Sequence, residues 1–478
     1  MAAGATLTDA AFVAALKRSA MVALCVVIVS FLVGLPAGVL TALYEFPGRR
    51  VLLAMVTLPL LAPSFLWAIG WSAFVTHLGF LAPNSLMGFT GCFLVFSLDV
   101  IPLVLLTSYA TALSLSSSQV EAARLAGGEK AVLFYACRHA AMLALLAAGF
   151  GGVAALSDPG PGQIFGLRTA AAEILTSFSA LYDFPLAGRQ CGALALLVLF
   201  VATPGAFLTA PRITSAMLAR QSRVAQRSRH QEMASIITAV LTLIVFVSLL
   251  TPLAGLTLPL ARGGVFRRAW EELLRTAGDT LLYAVGAGSL ATLLGLLLAL
   301  CVGRDHRLRI LCTGLLLTLF SLPPALTALG LVQLAAAAPA WTDPLFRSRF
   351  TVCAALGLRF FPVAAVLGMR VWGATSASWT FAAAAHGISL TTYLLQIVFP
   401  LLLPTLTIAL LLVALLATAD VSTILLLHPP GAGSLPLTIF TLMANAPESM
   451  VASLCFVYIA TTTGLLAAMW AIAEGRKA

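Results

Sequence analysis

Residues 396–420 read QIVFPLLLPTLTIALLLVALLATAD. No charge occurs before the last residue, and Asp420 is the only Asp, Glu, Lys or Arg between Val371 and Pro447. Wound as a helix at about 1.5 Å per residue, 396–417 reaches across roughly 30 Å of hydrocarbon. An open strand there would leave its backbone N–H and C=O groups without partners, so helix is the only spanning form available to it. Ten other stretches have the same character: 20–43, 51–75, 88–113, 138–156, 189–210, 234–258, 280–302, 310–337, 351–373 and 450–473. The fold class expected is therefore an all-α polytopic membrane protein of about eleven transmembrane helices. A twelfth would have to come from residues 1–16, which are too few to span.

Composition agrees. The chain has 478 residues, of which 61% are hydrophobic and 9% charged, with a mean hydropathy of +1.04. A soluble surface carries about 25% charged residues, and a disordered chain needs more charge and less apolar surface. Both classes are excluded. A cleaved signal peptide is also not expected, because the apolar run after Lys17 and Arg18 is long enough to span. The eight cysteines include no CxxC pair and the six histidines no HExxH, so neither a disulfide framework nor a bound metal is expected.

The formal charge of +10 comes from 27 basic and 17 acidic residues, the basic ones almost all arginine. They lie in short clusters between the spans, which reads as a topology signal and not as a nucleic-acid surface. With the N-terminus outside, the cytoplasmic segments hold Arg49 and Arg50; Arg124, Lys130 and Arg138; Arg212, Arg220, Arg223, Arg227 and Arg229; Arg304, Arg307 and Arg309; Arg370; and Arg476 with Lys477. The outer segments mix fewer basic residues with most of the acidic ones. The positive-inside bias thus expects the N-terminus outside and the C-terminus in the cytoplasm.

Shifting the chain by 260 places Pro63 on Pro323, Gly70 on Gly330, Pro102 on Pro362, Ala122 on Ala382, Ala123 on Ala383 and Gly127 on Gly387. Six spans separate equivalent points, so the copies run in the same direction. The expected organisation is a first repeat of five spans in 1–210, a basic cytoplasmic linker in 211–233 and a second repeat of six spans in 234–478.

Residues 119–140, QVEAARLAGGEKAVLFYACRHA, form an alanine-rich helix, a Gly127–Gly128 break and a stretch that enters the membrane near His139. On residue pattern alone this is an ordinary cytoplasmic connection. Glu121, Ala122, Ala123 and Gly127, however, resemble the EAA–xxx–G signature of permease subunits of binding-protein-dependent ABC importers. The ending, around Cys137 and His139–Ala140, departs from the I-x-L-P of that signature. In the second copy Phe381 replaces the glutamate, Ala382, Ala383 and Gly387 fit, and Ile397, Phe399 and Pro400 nearly restore the ending. The chain is thus similar to fused permeases of the iron(III), thiamine, polyamine and phosphonate type. The resemblance implies two parallel MetI-like permease repeats, with coupling segments at 119–138 and 379–397. Each would dock on one of two ATP-binding cassette subunits, expected as a homodimer. It further implies an extracytoplasmic solute-binding protein as partner, no cofactor on this chain, and a place in a bacterial inner membrane. The ATP is expected on the partner subunits, since none of the three lysines follows a glycine as a Walker A loop requires.

Two charges fall inside spans, Asp99 and Arg359, each three residues before a matched proline, Pro102 or Pro362. Intramembrane charge normally faces a cavity or a partner, so the expectation is a pseudo-symmetric ion pair or a pathway lining. The alternative is that one of them meets a different polar group. Asp158 and Asp420, matched at a shift of 262, stand after the fourth and tenth spans. The resemblance makes them outer-gate residues, whereas the residue pattern alone makes them helix caps.

These features fit a non-enzymatic importer subunit. A secondary transporter is the main alternative, since it too uses internal repeats. An intramembrane enzyme would need catalytic groups clustered at one depth, and the spacings assemble none. Fusions test the topology: green fluorescent protein should fluoresce at the C-terminus, and alkaline phosphatase should be active at the N-terminus. The reverse pattern would invert the orientation.

Overall fold

A computed structural model describes residues 10–78, 85–218, 230–261, 265–375 and 377–474. Residues 219–229 of the basic linker, Arg262 and the terminal Arg476 and Lys477 lie outside the described residues. Among the described residues there is no β-strand. Nine helices are long and apolar enough to cross a membrane, and there are eleven spans if each of two sharply bent helix pairs counts as one.

The helices needed below are α1 (Ala10–Leu43), α2 (Arg49–Thr57), α3 (Ser64–Leu78), α4 (Phe89–Ala112), α5 (Ser117–Ser157), α6 (Gly160–Phe165), α7 (Phe266–Val302), α8 (His306–Phe320), α9 (Pro324–Ala337), α10 (Arg349–Ala374), α11 (Ala377–Ala385), α12 (Phe399–Ala419) and α13 (Val421–Leu427). The two bends replace the second and eighth expected spans. One turns the chain by 103° between α2, extended by a short 3₁₀ turn to Leu61, and α3; the other turns it by 85° between α8 and α9. Pro63 and the Pro323–Pro324 pair stand at the breaks, where proline removes a backbone donor and cannot continue the preceding helix.

The chain forms two compact units, neither of them one continuous stretch. The first comprises Met1–Ala202, Arg220–Glu271 and Ile439–Ile459; the second comprises Thr203–Ala219, Glu272–Thr438 and Ala460–Ala478.

In the first unit α1 packs along α4 and α5. Its buried residues Phe12, Ala15, Ser19, Val22, Val26 and Ser30 recur every three or four positions and form one helical stripe. The opposite face is equally apolar, with Met21, Leu24, Ile28 and Leu32 exposed. A helix greasy on both its packed and its open faces suits lipid, where small residues permit close approach and polarity no longer sorts inside from outside. A Cβ on Gly34 would stand 2.8 Å from Val104 Cβ, and one on Gly38 would stand 2.2 Å from the Leu105 carbonyl oxygen.

In the second unit α7 and α10 also approach closely at a glycine. A Cβ on Gly295 would come within 2.7 Å of the Ala364 backbone, and Ala299 packs with Ala365 and Met369 in one buried cluster. α12 packs on α10, and α13 on α9. At the start of α8, Asp305 accepts hydrogen bonds from the amides of Arg307 at 2.8 Å and Leu308 at 3.0 Å. The Leu308 and Arg307 amides hold its carboxyl below the usual carboxylate range.

The α1–α4 contact yields a prediction. Gly38→Val forces a branched side chain against the Leu105 carbonyl and should cost about 1–3 kcal/mol, the usual range for overpacking. Thermal unfolding of the detergent-solubilised protein should register it as a lowered midpoint, while Gly149→Val, where a Cβ meets nothing within 4 Å, should leave the midpoint nearly unchanged.

Candidate coupling segments and intramembrane charges

The first segment begins with a capping box. Ser116 Oγ accepts from the Gln119 amide, and the Ser116 amide donates to Gln119 Oε1 at 3.0 Å. The helix then runs to a kink at Gly127–Gly128 before α5 continues into its span. Gly127, at φ −170°, is extended backbone open to any residue. Gly128, at φ 69° and ψ −157°, occupies a region reserved for glycine. Glu121, Ala122 and Gly127 are exposed and Ala123 is half-buried, while Leu125 is 91% exposed.

The second segment has the same plan. α11 ends with Ile388 N–H donating to Ala383 O at 3.0 Å and Gly387 N–H to Ala384 O at 3.0 Å. Gly387 sits at φ 68°, a left-handed helix stop of the kind glycine supplies. Ala383 is buried beside Tyr393, Val398 and Leu402. Ala382 and Gly387 are exposed, and Phe381 is 74% exposed. The left-handed glycine thus falls one position later in the first copy, at Gly128, than in the second, where Gly387 is the counterpart of Gly127.

Sequence reading missed the side chains that hold the first segment. Tyr44, just past the end of α1, donates its hydroxyl to Glu129 Oε2 at 2.5 Å. Arg124 Nε donates to Glu129 Oε1 at 2.8 Å. Arg49 donates to Tyr109 Oη at 2.7 Å, with its guanidinium 5.3 Å from the ring centroid. The hint in the sequence was a polar residue at each helix end; nothing in the spacing paired them. In the second unit Arg304 donates to the Thr375 carbonyl and hydroxyl, both at 3.0 Å, and lies over the Trp372 ring.

The intramembrane charges resolve within each unit. Sequence symmetry paired Arg359 with Asp99, but inside its own unit Arg359 has Asp420 as counter-ion, Nε to Oδ2 at 2.7 Å. The N–H is not directed at that oxygen, so the contact is a charge pair more than a hydrogen bond. Arg359 also reaches the Leu322 carbonyl at 3.5 Å. Asp420 caps α13, taking the Thr423 amide at 3.0 Å and the Thr423 hydroxyl at 2.8 Å. That hydroxyl also approaches the Pro324 carbonyl at 3.4 Å, at the start of α9.

In the first unit Asp158 plays the matching part. It accepts the Gly160 amide at 2.8 Å at the start of α6 and the hydroxyl of Ser64, which opens α3. Asp99, half-buried in α4, lies within electrostatic range of Asp158. The same pair of positions therefore carries an ion pair in one unit and two carboxyl groups in the other. Among the described residues no three His, Cys, Asp or Glu side chains gather as a metal-ligand set.

No family model and no curated protein matches the chain. What the helices and their buried charges define is a class, a polytopic all-α membrane protein with an architecture consistent with transport.

A prediction follows for the ion pair. Arg359→Gln leaves the buried Asp420 carboxylate without its counter-charge and should cost roughly 3–5 kcal/mol. Arg359→Gln with Asp420→Asn should recover most of that in a thermal melt, because both charges are then gone. Equal loss in the single and double variants would mean that Asp420 matters only as a cap.

Proposed function

We propose that this chain is the membrane-spanning permease subunit of an ATP-driven importer. The observation that carries the reading is the pair of exposed short helices about 260 residues apart, each ended by a glycine with positive φ and each followed by a long apolar span. A helix with a small Ala/Gly surface, set off from its span by a sharp turn, can seat in the groove of another subunit and transmit that subunit's motion. Glu121, Ala122, Ala123 and Gly127 form that surface in the first copy; in the second Phe381, Ala382 and Gly387 form it, with Ala383 packed behind them. Loss of the glutamate at Phe381 makes the second docking more apolar.

On this reading the chain holds two parallel MetI-like repeats, 1–210 and 234–478. Support comes from similar contacts about 260 residues apart: Gly34 on Val104 and Gly295 on Ala364; Ser64 with Asp158, and Pro324 with Thr423, which Asp420 caps. The partners are two ATP-binding cassette subunits as a homodimer and an extracytoplasmic binding protein, in a bacterial inner membrane with the N-terminus outside. The chain performs no covalent chemistry and ATP stays on the partners. Ferric iron, a small organic cation or a phosphonate is the substrate class. Asp158 and Asp420 act at the outer gate by capping the short helices there.

A secondary transporter is the competing reading. The observation in its favour is Asp99, a carboxyl group inside the α4 span, since intramembrane acids suit ion coupling.

Affinity purification from membranes containing the neighbouring genes' products separates the two. An importer subunit should retain an ATPase, and Gly128→Val or Gly387→Val should reduce that retention about tenfold or more while insertion persists, because either residue would be forced out of its backbone geometry. Uptake driven by an ion gradient with no ATPase bound would overturn the proposal.

A further inference from the structure

The Gly127–Gly128 kink creates a mechanical problem for the coupling reading, on which this inference rests. A helix attached through a two-glycine hinge swings freely, and a swinging helix transmits no force. Something must brace it.

The brace is Glu129, the first residue after the hinge. Its Oε1 takes Arg124, which lies before the hinge on the short helix, at 2.8 Å. Its Oε2 takes the Tyr44 hydroxyl from the end of α1 at 2.5 Å. One carboxylate thus ties the short helix, the start of the α5 span and the end of α1 into one body. Tyr44 is 1% exposed, so its hydroxyl has no ready substitute in water, and both bonds to Glu129 are of the charge-assisted kind. The α4 helix, which precedes the short helix in the chain, is tied to the same region. Arg49, in the same α1–α2 region as Tyr44, donates to Tyr109 near the end of α4.

Across the second hinge, among the described residues, Ala383 packs on Tyr393. Thr380, before Gly387, and Tyr393, after it, meet hydroxyl to hydroxyl at 3.2 Å. That is a neutral contact where the first copy has a carboxylate with two donors.

We infer that Glu129 is a positioning residue for energy coupling: it braces the first coupling helix across its glycine hinge, so that the first repeat takes up ATPase motion stiffly. Glu129 touches neither substrate nor ATP. Its effect is on how much transport each hydrolysed ATP yields.

The experiment uses the full complex of this chain with its ATPase and binding-protein partners in proteoliposomes, reading transport per ATP hydrolysed and ATPase retention together. Glu129→Gln and Tyr44→Phe should each keep the ATPase bound and hydrolysing while transport per ATP falls about tenfold, the factor one charge-assisted hydrogen bond supplies. Thr380→Val should change it little. The exchange Arg124→Glu with Glu129→Arg rebuilds the ion pair across the hinge and should recover part of the loss. Tyr44→Phe keeps the buried ring, so it remains informative even where Glu129→Gln fails to assemble. Unchanged transport per ATP in both single variants, with the ATPase bound, overturns the brace and leaves the importer reading standing. Loss of ATPase retention in both assigns Glu129 a merely structural role and also overturns it. A wild-type chain that retains no ATPase removes the importer reading and the brace with it.

Discussion

A backbone N–H or C=O left without a partner in hydrocarbon costs several kcal/mol, and the architecture follows from that penalty. It imposes long uninterrupted helices, and wherever a helix stops inside the molecule it demands a replacement partner. Both sharp bends meet the demand with side chains. At the first, the Trp67 indole donates to the Pro59 carbonyl at 3.0 Å and Ser64 hydrogen-bonds Asp158. At the second, Thr423 approaches the Pro324 carbonyl and Arg359 the Leu322 carbonyl. The short helices α6 and α13, each following a long span, begin beside an aspartate whose carboxylate takes a free amide of the first turn, that of Gly160 or of Thr423. The aspartates that stood out in the sequence are thus the places where the backbone is allowed to break.

A capping carboxylate solves the backbone problem and creates an electrostatic one, because it is itself a charge in a poor solvent. The two units solve it differently. In the second, Arg359 supplies a guanidinium to Asp420. In the first, the helix position equivalent to Arg359 holds Asp99, so Asp158 has the Ser64 hydroxyl and the Gly160 amide as partners and a second carboxyl group nearby.

The same asymmetry returns at the glycine hinges. Gly128 and Gly387 both break a helix with positive φ, yet the first break is bridged by a carboxylate with two donors and the second by two hydroxyls. Helix ends that meet lipid headgroups and water keep polar partners at modest cost, so differences of this kind are readily tolerated there.

The helical, many-span character was legible in the sequence because lipid filters composition so harshly: residues 396–417 have no other fold open to them, and each expected span coincides with an observed helix or bent pair. Proline marked both breaks for the same local reason, a missing donor. The Gly127–Gly128 break was legible, but not which of the two glycines takes positive φ, and no local pattern marked Gly387 as a helix stop. Within the second unit, packing brought Asp420 to Arg359 from 61 residues further along the chain, a neighbour that no spacing pattern indicated. It likewise brought Tyr44 to Glu129 from 85 residues away. Span count and break positions depend on local chemistry and can be read along the chain. Which buried charge meets which depends on how helices distant in sequence pack, and only the tertiary structure decides that.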